Sequence, residues 1–120
     1  MTLKECYTAL EGDYEEVIAR LRSEKMVQKF VLKFLNDKSH ELLVTSMETK
    51  NYEEAFRAAH TIKGVCQNLS FTRLYESSHI LTENLRTGYG DETDGLVQRV
   101  EKDYQQTIAA IKELQAENPS

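Results

Sequence analysis

The chain has 120 residues, a formal net charge of −5 at pH 7 and a pI near 5.2. A domain of this size buries about two thirds of the surface of its unfolded chain, which suffices for a core without disulfides or metals. The acidic balance removes the attraction that nonspecific nucleic-acid binding requires, so we expect no nucleic-acid partner. Since no apolar stretch approaches about eighteen residues and no leader pattern opens the chain, we expect a cytoplasmic protein without membrane association.

The cysteine, proline and glycine content indicates a helical fold without disulfides. Cys6 and Cys66 form no CxxC pair, and we expect both to be free, reduced thiols. The chain's one proline is Pro119, and its five glycines fall mainly at candidate boundaries between elements. This composition permits long, uninterrupted helices. We therefore expect one domain over residues 1–120, and the initiating methionine and polar end favour a free-standing protein.

Two short helices are predicted at the N-terminus. Thr2 can cap the first, over residues 2–10, because its hydroxyl can accept a hydrogen bond from a free backbone N–H of the first turn. Asp13 can cap the second, over residues 14–21, in the same way.

A longer helical arm is predicted over residues 24–49, with Ser23 as its cap. Apolar residues recur at helical spacing along its first part, namely Met26, Val27, Phe30, Phe34 and Leu35. The polar run over residues 36–39 indicates a kink or a break. The apolar period then resumes at Leu42, Leu43 and Met47.

Three further helices are predicted over residues 52–69, 71–87 and 95–116, and a loop rich in glycine and aspartate separates the last two. Each has apolar residues along one side at helical spacing. Four substantial helices with short connections and no strand alternation predict an all-α fold, an antiparallel up-down four-helix bundle. The short N-terminal helices are expected to lie across one end of it.

The helix over residues 52–69 has the most informative pattern. Its core-facing stripe consists of Tyr52, Ala55, Ala59, Ile62, Cys66 and Leu69. His60 and Gly64 lie one turn apart on another face, flanked by Lys63 and Gln67. Because glycine inside a helix costs about 1 kcal/mol relative to alanine, Gly64 indicates either the close approach of a partner or a packing notch against a neighbouring helix.

The run His60-Thr61-Ile62-Lys63-Gly64, with Ala58-Ala59 before it and Asn68-Leu69 and Leu74 after it, resembles the signature of histidine-containing phosphotransfer (HPt) domains. The resemblance extends from about Asp13 to about Glu113. It implies that His60 is phosphorylated and exchanges the group with an aspartate of a response-regulator receiver domain, which brings the Mg²⁺. It also implies a sensor or hybrid histidine kinase as partner, with no intrinsic cofactor or metal.

Elementary chemistry agrees with these implications. An exposed imidazole is largely neutral at physiological pH and keeps a lone pair for attack on phosphorus. Lys63 can support the phosphate oxygens, and Gly64 leaves room for another protein. Arg57, one turn before His60, can add to the positive field, while Phe56 is expected near the edge of the docking surface.

Two positions depart from the pattern of the family that the chain resembles. Gln67 stands where small residues are common, and its side chain can either crowd the histidine or hydrogen-bond a phosphate oxygen. Ser70 stands where a glycine is usual and is small enough to preserve packing. The other histidines, His40 and His79, are expected at exposed positions with no metal-spaced companions.

Other functions find less support in the sequence. The chain has no Walker or Rossmann loop, no GxSxG and no kinase nucleotide-binding signature, so we expect no autonomous kinase or ATPase activity. The alternative is an interaction module that binds receiver or kinase domains without being phosphorylated. A monomer is the default expectation, because no heptad pattern exceeds what the bundle core needs.

Overall fold

A computed structural model describes residues 1–118, and Pro119 and Ser120 lie outside the described residues. The described part of the chain is helical and contains no strand. The seven α-helices are α1 (Leu3–Leu10), α2 (Tyr14–Leu21), α3 (Glu24–Lys33), α4 (Ser39–Glu48), α5 (Tyr52–Leu69), α6 (Thr72–Arg86) and α7 (Thr93–Glu117).

Side-chain caps explain where the early helices begin. Thr2 and Glu5 form a reciprocal capping box at α1, and Asp13 accepts a hydrogen bond from the Glu16 amide at 3.0 Å at the start of α2. Ser23 does the same for α3, accepting from the Met26 amide at 3.2 Å. All three caps were predicted from the sequence and are confirmed.

The predicted interruption between residues 36 and 39 is a real break in the helical arm. A 3₁₀ turn over Phe34–Asn36 follows α3, and Asp37 then adopts an extended conformation before α4 begins. Met26 and Leu42, which were assigned to the apolar stripes, are each 43% exposed, so that assignment was wrong. Val27 and Leu43, which were assigned to the same stripes, are buried, because each helical step rotates the side chain by about 100° and only one of two adjacent residues can face the core.

The helices pack mainly against their neighbours in sequence. α5 lies between α4 and α6, and α6 also packs against α7. The short N-terminal helices are held by later ones, α1 against α7 and α2 against α3. α5 thereby has a helix on either side and also contacts α3.

An aromatic cluster fills the core where these elements meet. Tyr7 and Phe34 both pack on the ring of Phe71, with centroid distances of 5.7 and 5.3 Å. The Tyr7 hydroxyl is buried and donates to the Leu69 carbonyl at 2.7 Å, which satisfies an acceptor at the end of α5. The cluster thus fixes the C-terminal end of α5 in the core.

Candidate functional site

α5 holds His60 at a defined position on the surface. Asn51 caps its first turn by accepting from the Glu54 amide at 3.2 Å, and Ser70 ends it in the left-handed conformation with φ of 56°. The core side is buried, formed by Ala55, Ala58, Ala59, Ile62, Cys66 and Leu69. His60, rotated away from that stripe, is exposed.

The imidazole of His60 opens into a small cavity of about 360 Å³. The cavity is lined by Phe56, Arg57, His60, Thr61 and Arg86. The Phe56 ring lies 6.1 Å from the imidazole, centroid to centroid, and the Arg86 guanidinium sits 5.1 Å from the Phe56 ring centroid. Two cations from different helices therefore share this cavity with the exposed histidine.

Carboxylates on the same helices neutralise both arginines. Arg57 is paired with Glu53 at 2.6 Å and with Glu54, and Arg86 is paired with Glu83 at 3.0 Å. These pairs are largely exposed, so each contributes little to stability and leaves the arginine free to exchange partners. The arrangement suits a site that takes up an anion.

Lys63, one turn after His60 on α5, contributes its charge to the surroundings of Glu83 on α6. The hydrogen bond from Arg86 holds the pKa of Glu83 below its usual range, and the charges of Arg86, Lys63 and His79 contribute in the same direction. Lys63 is half-buried and forms no ion pair with the residues that the structure describes. Its ammonium is therefore available one turn from His60.

Gly64 leaves open space on the surface. A Cβ built on Gly64 would meet nothing within 4 Å, so the alternative that it is a packing notch against a neighbouring helix is wrong. Gly64 lines a largely apolar groove of about 690 Å³ between α5 and the end of α3, together with Phe30, Lys33, Phe34, Asn36, Asp37, Val65, Asn68 and Leu69. The groove begins one turn from the histidine.

Gln67 is exposed and lines a different cavity from the one that contains His60. That second cavity also includes Asp13, Glu16, Arg20 and Ser70. Within it the Ser70 hydroxyl accepts from Arg20 at 2.8 Å and donates to Glu16 at 2.6 Å. The structure therefore groups Gln67 with this polar network, and it brings Phe56 and Arg57 to His60.

The other two histidines are less exposed than predicted. His40 stacks on Tyr104 with ring centroids 3.7 Å apart and contacts the carboxylate of Glu101, because the start of α4 packs beside α7. His79 is half-buried and stacked on Tyr75, and its Nδ1 is buried without a hydrogen-bond partner. The prediction that both are exposed was wrong.

An aromatic surface adjoins the His60 cavity. Tyr52 and Tyr89 stack with centroids 4.6 Å apart, and the Tyr89 hydroxyl donates to Asp94 at 2.8 Å. Tyr52 lines a cavity of about 400 Å³ with Glu53, Phe56, Leu85, Arg86 and Gly88. This cavity shares Phe56 and Arg86 with that of His60, so the two form one continuous surface.

Arg86 is the site residue that the sequence reasoning missed. It is the last residue of α6, far from His60 in the chain, and only the packing of α6 on α5 brings it to the cavity. One local signal was present, since Glu83 lies three residues before it at the spacing of a helical ion pair. The spacing of Glu83 and Arg86 alone does not indicate which histidine this ion pair lies near.

Two negative observations apply to the described residues. Residues 1–118 contain no group of three or more histidine, cysteine, aspartate or glutamate side chains that could hold a metal ion. Among the same residues, no helix combines the length and apolar character needed to cross a membrane.

The described residues are all-helical, and they expose His60 on α5 beside the cations of Arg57 and Arg86. The family model described as Hpt domain matches residues 15–114. The chain belongs to the Hpt domain family, whose members act in phosphotransfer in two-component relays. No curated protein and no solved structure is significantly similar to it.

Proposed function

We propose that this chain is a phosphorelay intermediate, in which His60 accepts a phosphoryl group from, and donates it to, an aspartate of a receiver domain. The observation that supports this best is the exposure of His60 in a cavity shared with Arg57 and Arg86. A sensor or hybrid histidine kinase stands upstream in this proposal. The protein acts as a cytoplasmic monomer, and its longer helical arms form the antiparallel four-helix bundle predicted from the sequence.

The accepting step is a displacement at phosphorus. The lone pair of one imidazole nitrogen of His60 forms a bond to phosphorus as the bond from phosphorus to the aspartyl oxygen breaks, and the carboxylate leaves with that electron pair. The second ring nitrogen keeps its proton during the attack and releases it to solvent afterwards. Donation to another aspartate reverses these changes.

The cations of the site serve to spread the charge of the transferred group. Lys63 and Arg86 approach from the α6 side of His60, and Arg57 lies one turn before it. Charge-assisted hydrogen bonds from such groups stabilise phosphoryl oxygens more strongly than neutral ones do. The receiver supplies Mg²⁺, which neutralises charge at its own aspartate.

Docking of the receiver uses the open surface beside the histidine. Gly64 and the apolar groove next to it provide space and apolar area, and the exposed part of Phe56 forms the opposite edge. An apolar patch around a reactive polar centre is typical of protein interfaces. We expect Phe56→Asp to weaken receiver binding with the fold intact.

The alternative is an interaction module that binds a receiver or a kinase and is never phosphorylated. The same groove would support that role. The convergence of Lys63, Arg57 and Arg86 on an exposed imidazole favours phosphoryl transfer, because binding alone requires no cations around a histidine. In neither case do we expect the purified chain to hydrolyse ATP.

The decisive experiment mixes the protein with a receiver domain loaded from acetyl phosphate in the presence of Mg²⁺. Intact mass is measured for wild type, His60→Gln and, as a matched control, His79→Gln, before and after mild acid. We expect an acid-labile phosphoryl adduct on wild type and His79→Gln, and none on His60→Gln. Binding of receivers without any adduct would favour the interaction module, and an adduct that survives in His60→Gln would refute the assignment of the site.

A further inference from the structure

The carboxylate of Glu83 is placed where it competes with a phosphoryl group for the cations beside His60. Its partner Arg86, at 3.0 Å, lines the His60 cavity and rests on the Phe56 ring. The hydrogen bond from Arg86 and the charges of Arg86, Lys63 and His79 all lower the pKa of Glu83. Glu83 therefore pairs directly with Arg86 and also experiences the charge of Lys63.

Six charged side chains of this part of the site have formal charges that sum to zero while His60 is unphosphorylated. Three cations, on Arg57, Lys63 and Arg86, are matched by three carboxylates, on Glu53, Glu54 and Glu83. A phosphoryl group on His60 adds between one and two negative charges near neutral pH. The loaded site then has an excess of negative charge, and Glu83 and the phosphoryl group repel each other.

Exchange of partners requires only side-chain motion. Glu83 is 48% exposed and Arg86 is 52% exposed, so the pair is in contact with water and costs little to open. Arg86 borders the same cavity as the imidazole and can turn toward a phosphoryl group there without movement of either helix.

We propose that Glu83 is a positioning residue that holds Arg86 in the resting state and, by competing with the phosphoryl group for Arg86 and Lys63, limits how strongly His60 retains phosphate. The inference rests on the proposed phosphotransfer at His60. In this role the Glu83 carboxylate favours transfer of the phosphoryl group from His60 to a receiver over its retention on His60.

The first test measures the equilibrium of the phosphoryl group between a receiver and this protein. Glu83→Gln removes the charge, and we expect the equilibrium to shift toward phosphohistidine by about threefold at low ionic strength, as for like charges about 10 Å apart in water, and by less at high salt. The matched control is Glu76→Gln, an exposed glutamate two turns earlier on α6 without an ion pair among residues 1–118. Its equilibrium should equal that of wild type.

The second test needs no receiver. His60 is loaded chemically with phosphoramidate, and the Glu83 carboxyl is titrated by NMR in the free and loaded protein. We expect the pKa of Glu83 to rise when His60 is phosphorylated. Arg86 then pairs with the phosphoryl group instead of Glu83, and the phosphoryl group adds negative charge near the carboxylate. Arg86→Gln should raise the pKa of Glu83 in the free protein already, and the further rise on loading should then be smaller than in wild type.

The outcomes separate the two proposals. A pKa of Glu83 that is the same in free and loaded protein overturns the competition, and so does an equilibrium in Glu83→Gln equal to that in Glu76→Gln. Failure of every receiver to exchange phosphate with wild type overturns the proposed function instead, while the titration of chemically loaded protein still decides the role of Glu83.

Discussion

At the scale of single residues, Gly64 and Gly12 lie in opposite surroundings, one open and one tightly packed. A Cβ at Gly64 meets no atom within 4 Å, so alanine would add no clash there. Gly12 is the opposite case, since a Cβ there would lie 2.6 Å from the Ser70 carbonyl oxygen. Substitution at these two positions should therefore have different physical consequences.

Substitutions of Gly64 should distinguish its effect on the stability of the fold from its effect on phosphoryl transfer. We expect Gly64→Ala to raise the free energy of unfolding by about 1 kcal/mol, because alanine is the better helix former and its methyl group meets no atom. Gly64→Leu should fold equally well yet slow transfer from the receiver at least tenfold by obstructing the docking surface. Urea unfolding and transfer kinetics measure the two effects.

Gly95→Ala provides the control, because Gly95 lies in α7 and its Cβ would also meet nothing within 4 Å. This variant should leave transfer unchanged. Normal transfer in Gly64→Leu would show that the receiver does not approach over this part of α5.

The two thiols are predicted to be unreactive in the folded protein. Cys6 and Cys66 are fully buried, and burial raises the pKa of Cys6 to about 11 and that of Cys66 further. Since the thiolate is the reactive form, iodoacetamide should modify neither at neutral pH until the protein is unfolded. Mass spectrometry of native and urea-treated samples checks this.

The raised pKa also predicts a pH dependence of stability. Above the ordinary pKa of 9.0 the unfolded chain releases the Cys6 proton, whereas the folded chain keeps it up to about 11. The contribution is fully present below 9.0 and is lost as the pH rises through this window. The urea midpoint should therefore fall less between about pH 8 and pH 10 in Cys6→Ala than in wild type. An equal fall of the urea midpoint in Cys6→Ala and wild type would contradict the raised pKa of Cys6.

At the scale of elements, the turn between α1 and α2 and the turn after α5 are joined. The Asp13 amide donates to the Ser70 carbonyl at 2.8 Å, and Gly12 allows the two backbones to approach. The side chains of Glu16 and Arg20 close the same junction through the Ser70 hydroxyl. The helix that presents His60 is thus anchored at its far end by α2.

This junction gives a direct prediction. Gly12→Ala should lower the free energy of unfolding by about 1 to 3 kcal/mol, because the Ser70 carbonyl and the packed Tyr7 ring would have to shift. Gly90→Ala, where a Cβ meets nothing within 4 Å, serves as the control and should change it by less than about 0.5 kcal/mol. Equal stability of the two variants in urea would argue against a tight junction.

The helices could be predicted from the sequence where nearby residues determine their ends. Thr2, Asp13 and Ser23 mark helix starts because a capping side chain bonds to a backbone amide within three residues. The polar run around Asp37 marks the break, and this signal is also local in the sequence. The neighbourhood of His60 was predictable only along α5 itself. Arg86 and Glu83 come from α6, and no local pattern states how two helices are rotated against each other.

At the scale of the whole molecule, a polar network connects both ends of the chain. Arg73 at the start of α6 pairs with Asp103 of α7 at 3.1 Å and with Glu11 after α1, also at 3.1 Å. Gln106 of α7 donates to the Ala9 carbonyl and to Glu11 at 2.9 Å. Asp103 is only 2% exposed, and Arg73 is its ion-pair partner among residues 1–118.

Removal of Arg73 should therefore be costly. Arg73→Ala leaves a buried carboxylate without its counter-ion, and we expect a loss of about 2 to 3 kcal/mol in the free energy of unfolding. The comparison is Arg99→Ala, at an exposed arginine of α7 with no ion pair among residues 1–118, which should be nearly neutral. Urea unfolding of both variants checks the difference.

The stacked pair of Tyr52 and Tyr89 gives the molecule a built-in optical reporter. The chain contains no tryptophan, so its ultraviolet emission comes from tyrosine. Two of its six tyrosines are stacked beside the cavity that shares Phe56 and Arg86 with His60. A partner that covers this surface would change the quantum yield of the pair, and complex formation could be followed in real time without attaching a dye.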